Sequence, residues 1–148
     1  MTRTPAITRI VVGVDGSDNS RRALAWAILL AQTFHAEVLA VHAVGLLSDL
    51  GEGPPVPSQS HLDELRLKFE RDWCAPLHTS TVPHRLLLRD GPPVLVLVGT
   101  ADQESADLIV VGSRGAGGFP ELLLGSTSHH VVERAKRPVL VVPPEAEQ

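Results

Sequence analysis

Ile10-Val11-Val12-Gly13-Val14-Asp15-Gly16-Ser17 is the opening of a segment that reads as one structural unit. Residues 10–14 are apolar and β-branched, and the run stops at Asp15-Gly16-Ser17. That is the pattern of a buried strand entering a turn. Ser17 or Asp18 offers a side-chain oxygen to cap a following helix. From residue 20 to about residue 34 the sequence is rich in Ala and Leu. Ala23, Ala27, Leu30 and Ala31 recur at helical spacing, as do Leu24 and Ile28, and the small residues suit close packing on a sheet. Residues 38–44 form a second apolar run. Strand, helix and strand in that order predict parallel strands joined by a right-handed crossover.

The alternation continues along the chain. Gly51, Gly53, Pro54, Pro55 and Pro57 make residues 46–60 an expected exposed, mobile loop. It is short and the pattern resumes after it, so no domain boundary is read there. Leu62, Leu65, Phe69 and Trp73 then recur at helical spacing among charged residues, giving an amphipathic helix that Pro76 is expected to end. A weaker strand is expected at residues 82–88, followed by the turn Asp90-Gly91-Pro92-Pro93. Propensity alone makes residues 94–98 a strand. Pro93 suits the first turn of a helix, however, and the next plain strand is residues 108–111, so the alternation requires a helix. A glycine-rich stretch at 112–118 leads to a helix from Ser126 to about Lys136. The last strand is Val139–Val142, stopped by Pro143-Pro144. Five strands and about four helices predict a three-layer α/β sandwich with a five-stranded, mainly parallel sheet. The chain is read as a single domain over 1–148, with its core at about 7–143.

Composition narrows the function classes. The chain has 148 residues, with two Trp, three Phe and no Tyr, so its 18 Val and 21 Leu must build an aliphatic core. Aromatic platforms for single-stranded nucleic acid are not expected. The net charge of −4 provides no basic footprint for DNA or RNA. One cysteine, Cys74, excludes an intrachain disulfide framework and a Cys-rich zinc site. The first ten residues lack an apolar signal core, and the apolar runs fall far short of the roughly 20 residues of a membrane span. A cytoplasmic protein with no nucleic-acid or membrane partner is expected.

The chemically informative motif is Gly112-Ser113-Arg114-Gly115, nine further residues, then Gly125-Ser126. Glycines after a strand let the backbone approach a ligand closely, and exposed N–H groups beside a helix N-terminus attract anions. In an open α/β sheet ligands bind outside the carboxyl ends of the strands. Asp15, His42-Ala43 and Gly112 all follow strands and converge on that edge. The motif is not a P-loop, since no lysine follows its glycines, and the first strand carries no dinucleotide fingerprint, since Gly13-Val14-Asp15-Gly16 continues with Ser17-Asp18-Asn19 and offers no third glycine in place. Plainer roles stand beside these. Asp15 and Ser126 could each act only as caps. Arg114 either neutralises a phosphate or is a solvated loop residue. His129 and His130 are adjacent, share no helix face and read as surface residues rather than metal ligands. His42 reads as packed or hydrogen-bonded rather than catalytic. Cys74 follows a core-facing Trp73 without a CxxC partner, so a reactive thiol is not expected.

With its flanking strands, this motif resembles the universal stress protein family over roughly residues 7–143. The likeness runs through residues 10–17, Val41-His42-Ala43-Val44, residues 106–115, Leu123-Leu124-Gly125-Ser126-Thr127-Ser128 and Arg137-Pro138 with the strand after it. The family's ATP signature is Gly, two residues, Gly, nine residues, Gly, then Ser or Thr, and every fixed position is matched. The resemblance implies an adenine-nucleotide α-hydrolase-like fold that binds ATP, with Mg²⁺, and forms a homodimer through Val139–Val142. It implies that Asp15 meets the ribose or adenine side, with Gly13 beside it, and that the Ala43 backbone hydrogen-bonds adenine. It implies that Gly112, Ser113 and Gly115 form the ribose and phosphate loop, and that Gly125, Ser126 and Thr127 contact phosphate. With so few aromatics, adenine would be held by aliphatic walls and backbone rather than by a stacking ring. Phe119-Pro120-Glu121 departs from the basic residues often seen in the spacer, and Glu121 would weaken the phosphate field. The expected role is nucleotide-dependent regulation of a protein partner. The alternatives are a slow ATPase or phosphotransferase using Asp15 or His42, and a structural dimer without nucleotide.

Overall fold

A computed structural model of the chain describes residues 4–44, 59–114 and 124–145. Its strands are β1 (Arg9–Gly13), β2 (Glu37–Ala43), β3 (His84–Arg89), β4 (Leu108–Gly112) and β5 (Val139–Val142). They form one sheet in the order β3-β2-β1-β4-β5. Every pairing is parallel, with Val12 opposite Ala40 on one side and Val110 on the other. The helices are α1 (Asp18–Phe34), α2 (Gln59–Leu67), α3 (Ala75–His78), α4 (Pro93–Gln103) and α5 (Ser126–Arg134). The α/β architecture with a parallel five-stranded sheet is as the sequence predicts.

The central strands are buried on both faces, which is why they read as unbroken aliphatic runs. Successive side chains alternate between layers. Ile10, Val12, Val38, Ala40 and Val110 pack with α1 and with Phe69, Cys74 and Leu77. Val11, Leu39, Ile109 and Val111 pack with α4 and with Val131 of α5. Each large side chain buried this way contributes about 1.5–3 kcal/mol. Burial also settles residues 94–98. Val96, Leu97, Thr100 and Ala101 are the buried positions of a helix that opens on Pro93, and that packing outweighs a β-propensity range of about 1 kcal/mol.

Helix α1 is capped by Ser17 rather than Asp18, since the Ser17 hydroxyl accepts the Ser20 N–H at 3.1 Å. It ends at His35 in the left-handed conformation, φ 57°. The second helix departs from expectation. Gln59 and Ser60 already belong to α2, and the remainder of the expected loop lies outside the described residues. Beyond Leu67 the chain winds as a π-helix over Lys68–Trp73, where the Cys74 N–H bonds the Phe69 carbonyl five residues back, at 3.1 Å. Pro76 does not end helical structure. It stands in the first turn of α3, where its missing N–H costs no bond. Helix α5 stops at Arg134, two residues short of the expected end. No helix among the described residues is long and apolar enough to cross a membrane.

Candidate functional site

The chain lays β2 and β3 on one side of β1, then returns to place β4 and β5 on the other. The carboxyl ends of β1 and β4 therefore flank a topological switch point, where open α/β sheets bind ligands.

At the end of β4, three elements meet through one side chain. Asn19, in the first turn of α1, is only 8% exposed. Its Oδ1 accepts the Arg114 N–H at 2.7 Å and the Ser113 hydroxyl at 3.2 Å. Its Nδ2 donates to the Val142 carbonyl at 3.0 Å, and that carbonyl also accepts the Ser113 N–H at 2.8 Å. Gly112 is a glycine because α1 comes so close: a Cβ there would lie 3.0 Å from the Asn19 carbonyl oxygen. The Ser113 carbonyl in turn accepts the Gly125 N–H and the Ser128 hydroxyl, the latter at 2.9 Å. The start of α5 is thus hydrogen-bonded directly to the end of β4. Gly125, not Ser126, is the cap residue, and no side chain caps this helix. Its first N–H groups lack intrahelical acceptors and carry the positive end of the helix dipole. Arg114 follows Ser113, with its Nε buried and without a hydrogen-bond partner among the described residues. An uncapped helix end and a buried, unmatched guanidinium donor suit an anionic group.

At the end of β1, Asp15 Oδ1 accepts the Ser17 N–H at 2.9 Å and the Ser17 hydroxyl as well. The Ser20 hydroxyl accepts the Asp15 N–H at 3.3 Å. The carboxylate thereby shapes the turn before α1. Gly16 adopts φ +83°, and the Trp73 indole lies against it. Trp73 and Phe69 pack around the His42 ring, with centroids 5.1 and 6.0 Å away. His42 Nδ1 is 2.7 Å from the Val14 carbonyl, so the neutral ring donates there. Burial lowers its pKa from the ordinary 6.5, against the opposing Val14 bond and the Asp15 charge. His42 is the packed, hydrogen-bonded histidine expected. Trp73 is half-buried at the lip of a pocket with Val14, Gly16, Ser17, Ser20 and Arg21, rather than simply core-facing. Cys74 is fully buried, and burial pushes its thiol up to about 12.

Of the sequence-predicted positions, Ser113 and Gly125 are hydrogen-bonded into one junction that also holds Ser128, the residue after Ser126 and Thr127, and Gly112 packs beside it against Asn19. Gly13 and Asp15 stand at the end of β1, and Ala43 ends β2 opposite Arg89. Gly115 and Glu121 lie outside the described residues. His129 is exposed and pairs with Glu133 at 2.8 Å. No cluster of three or more His, Cys, Asp or Glu that could hold a metal occurs among the described residues. The sequence reading missed Asn19. Its signal was the four-residue step Asn19, Ala23, Ala27, Ala31, which puts an amide at the head of the buried stripe of α1.

Comparison with known proteins adds four findings. The universal stress protein family model matches residues 6–143. A curated universal stress protein of Thermus aquaticus is 39% identical, over 90% of this chain and 96% of its own. Among solved structures, the universal stress protein UspA of Lactobacillus plantarum superposes with a TM-score of 0.74 at 26% identity, covering 94% of this chain and 99% of that one. Another, a universal stress protein in complex with cAMP, gives 0.71 at 28% identity, over 93% and 98% of the two chains.

Proposed function

This chain belongs to the universal stress protein family, and we propose that it binds an adenine nucleotide, ATP with Mg²⁺, as a regulatory homodimer. Residues 7–143 act as one such domain. The nucleotide lies across the carboxyl ends of β1, β2 and β4, with Asp15 and Gly13 on the ribose side and the Ala43 backbone toward adenine. Ser113, Arg114 and the start of α5 face the phosphates. A magnesium ion would be held near the phosphates facing Ser113, Arg114 and the start of α5, where it would offset their charge. Two chains pair along β5, and occupancy biases a contact with a protein partner. Such a bias requires nucleotide affinity to differ between the two states.

The observation that carries this reading is the hydrogen-bonded junction of the β4 end with the uncapped start of α5, together with the buried, unmatched Nε of Arg114, the residue after Ser113. The cAMP-bound relative supports an adenine nucleotide as the ligand class. Asp15 Oδ1 accepts from Ser17 and His42 Nδ1 bonds the Val14 carbonyl, so both groups have structural roles in the turn after β1. Calorimetric titration of Arg114→Gln with ATP tests the reading. A charge-assisted hydrogen bond contributes about 1.5–3 kcal/mol, so affinity should fall by roughly ten- to hundredfold. Unchanged affinity would remove the phosphates from this end of the sheet.

A further inference from the structure

We propose that Asn19 is the positioning residue of this site. Its carboxamide holds Ser113 and Arg114, at the end of β4, in the conformation that receives phosphate, without touching the nucleotide. The inference rests on the nucleotide reading above.

The geometry of one amide group carries it. Asn19 Oδ1 fixes two successive residues of the loop, by the Ser113 hydroxyl and the Arg114 N–H. Nδ2 fixes the same side chain to the Val142 carbonyl at the end of β5. Because that carbonyl also takes the Ser113 N–H, the amide closes a ring of bonds through α1, β4 and β5. A buried amide that satisfies both its donor and its acceptor in this way has one preferred orientation, and so do its partners. The backbone carbonyl of Ser113 is then left to face Gly125 and Ser128, which sets the start of α5 against the loop. The close approach of Gly112 to the Asn19 backbone leaves α1 no room to shift toward β4. Arg114, whose side chain holds the unmatched Nε, is anchored at its backbone by this same amide. Without it, that donor must be ordered when the ligand binds. Ordering a side chain and its loop at that moment subtracts from affinity, which is how a residue outside the ligand's reach sets it.

Three variants of the full chain separate positioning from general stability. Asn19→Ala removes the ring of bonds. Asn19→Asp keeps the acceptor but turns a carboxylate oxygen toward the Val142 carbonyl and adds negative charge near the phosphates. Leu77→Ala empties a fully buried core position on α3. ATP affinity is titrated for each, and hydrogen exchange at the Arg114 amide is followed by NMR without nucleotide. Expected are about a tenfold loss of affinity in Asn19→Ala, the worth of one net hydrogen bond, and a larger loss in Asn19→Asp. The Arg114 amide should exchange faster in Asn19→Ala than in wild type, while Leu77→Ala keeps wild-type affinity. Equal affinity of Asn19→Ala and wild type overturns the proposal, as does an equal loss in Leu77→Ala. Unaltered exchange at Arg114 overturns it on its own. A wild-type protein that binds no nucleotide instead refutes the functional reading, and the exchange measurement still judges the anchor.

Discussion

The indole of Trp73 rests on the backbone of Gly16, so that a Cβ at Gly16 would come within 2.6 Å of the ring. The contact joins the end of the π-helical turn to the turn that carries Asp15. Gly16→Ala meets two costs, the left-handed φ of +83° and the indole. The first alone is about 1–2 kcal/mol. In a double-mutant cycle, Gly16→Ala in a Trp73→Ala background should recover about 1 kcal/mol of the loss. Additive effects in denaturant titrations would show that the contact carries no energy.

Gly112 is held to glycine by α1. A Cβ there would lie 2.9 Å from Asn19 Cγ and 3.0 Å from its carbonyl oxygen, and the second atom is backbone. Gly112→Ala should therefore destabilise by about 1–3 kcal/mol, the usual cost of overpacking. Removing the Asn19 side chain should restore only part of it. A loss below about 0.5 kcal/mol in chemical denaturation would contradict the close approach.

His42 predicts an acid-side weakness. Burial holds its folded pKa below 6.5, so the unfolded chain binds more protons across that interval and stability rises with pH there. Stability is lost as pH falls below 6.5 toward the folded value, and this group adds no slope above 6.5. His42→Asn keeps a nitrogen donor for the Val14 carbonyl but does not titrate. Denaturation at about pH 7.5 and about pH 5.5 should show a smaller acid-side loss in His42→Asn than in wild type. Equal losses would place the pH dependence elsewhere.

Strand β5 ends the sheet, and it is an apolar edge of four residues. Bare apolar edges recruit other strands, and lysine blocks them. Val139→Lys or Val141→Lys should convert a dimer to a monomer by light scattering, with the milder Val139→Thr and Val141→Thr shifting the equilibrium the same way. Both valines also pack toward α4 and α5, so far-UV circular dichroism must show a folded chain. A folded dimer in the lysine variants would exclude this interface.

Much of this architecture was legible because parallel strands buried on both faces leave an unmistakable trace, as at residues 10–14 and 108–111. Gly112 has a packing reason of its own: a backbone approach as close as that of Gly112 to Asn19 admits no side chain. What was not legible depended on tertiary partners. The step from Phe69 to Trp73 suits an α-helix or a π-helix, so the pattern could not show which would form or that the indole would reach Gly16. Ser126 looked like a cap because serine favours that position. The bond from the Gly125 N–H to Ser113 instead places the glycine there. Asn19 was hidden within a capping sequence, where a polar residue is unremarkable, and only its burial reveals its three partners.

The central claim is an adenine nucleotide at the β1–β4 edge. Analysis of the small molecules carried by the purified protein, followed by titration of stripped protein with ATP and Mg²⁺, tests it most directly. The account predicts bound adenine nucleotide and a saturable site that Arg114→Gln weakens. Protein that carries no nucleotide and takes up none at millimolar ATP would contradict it.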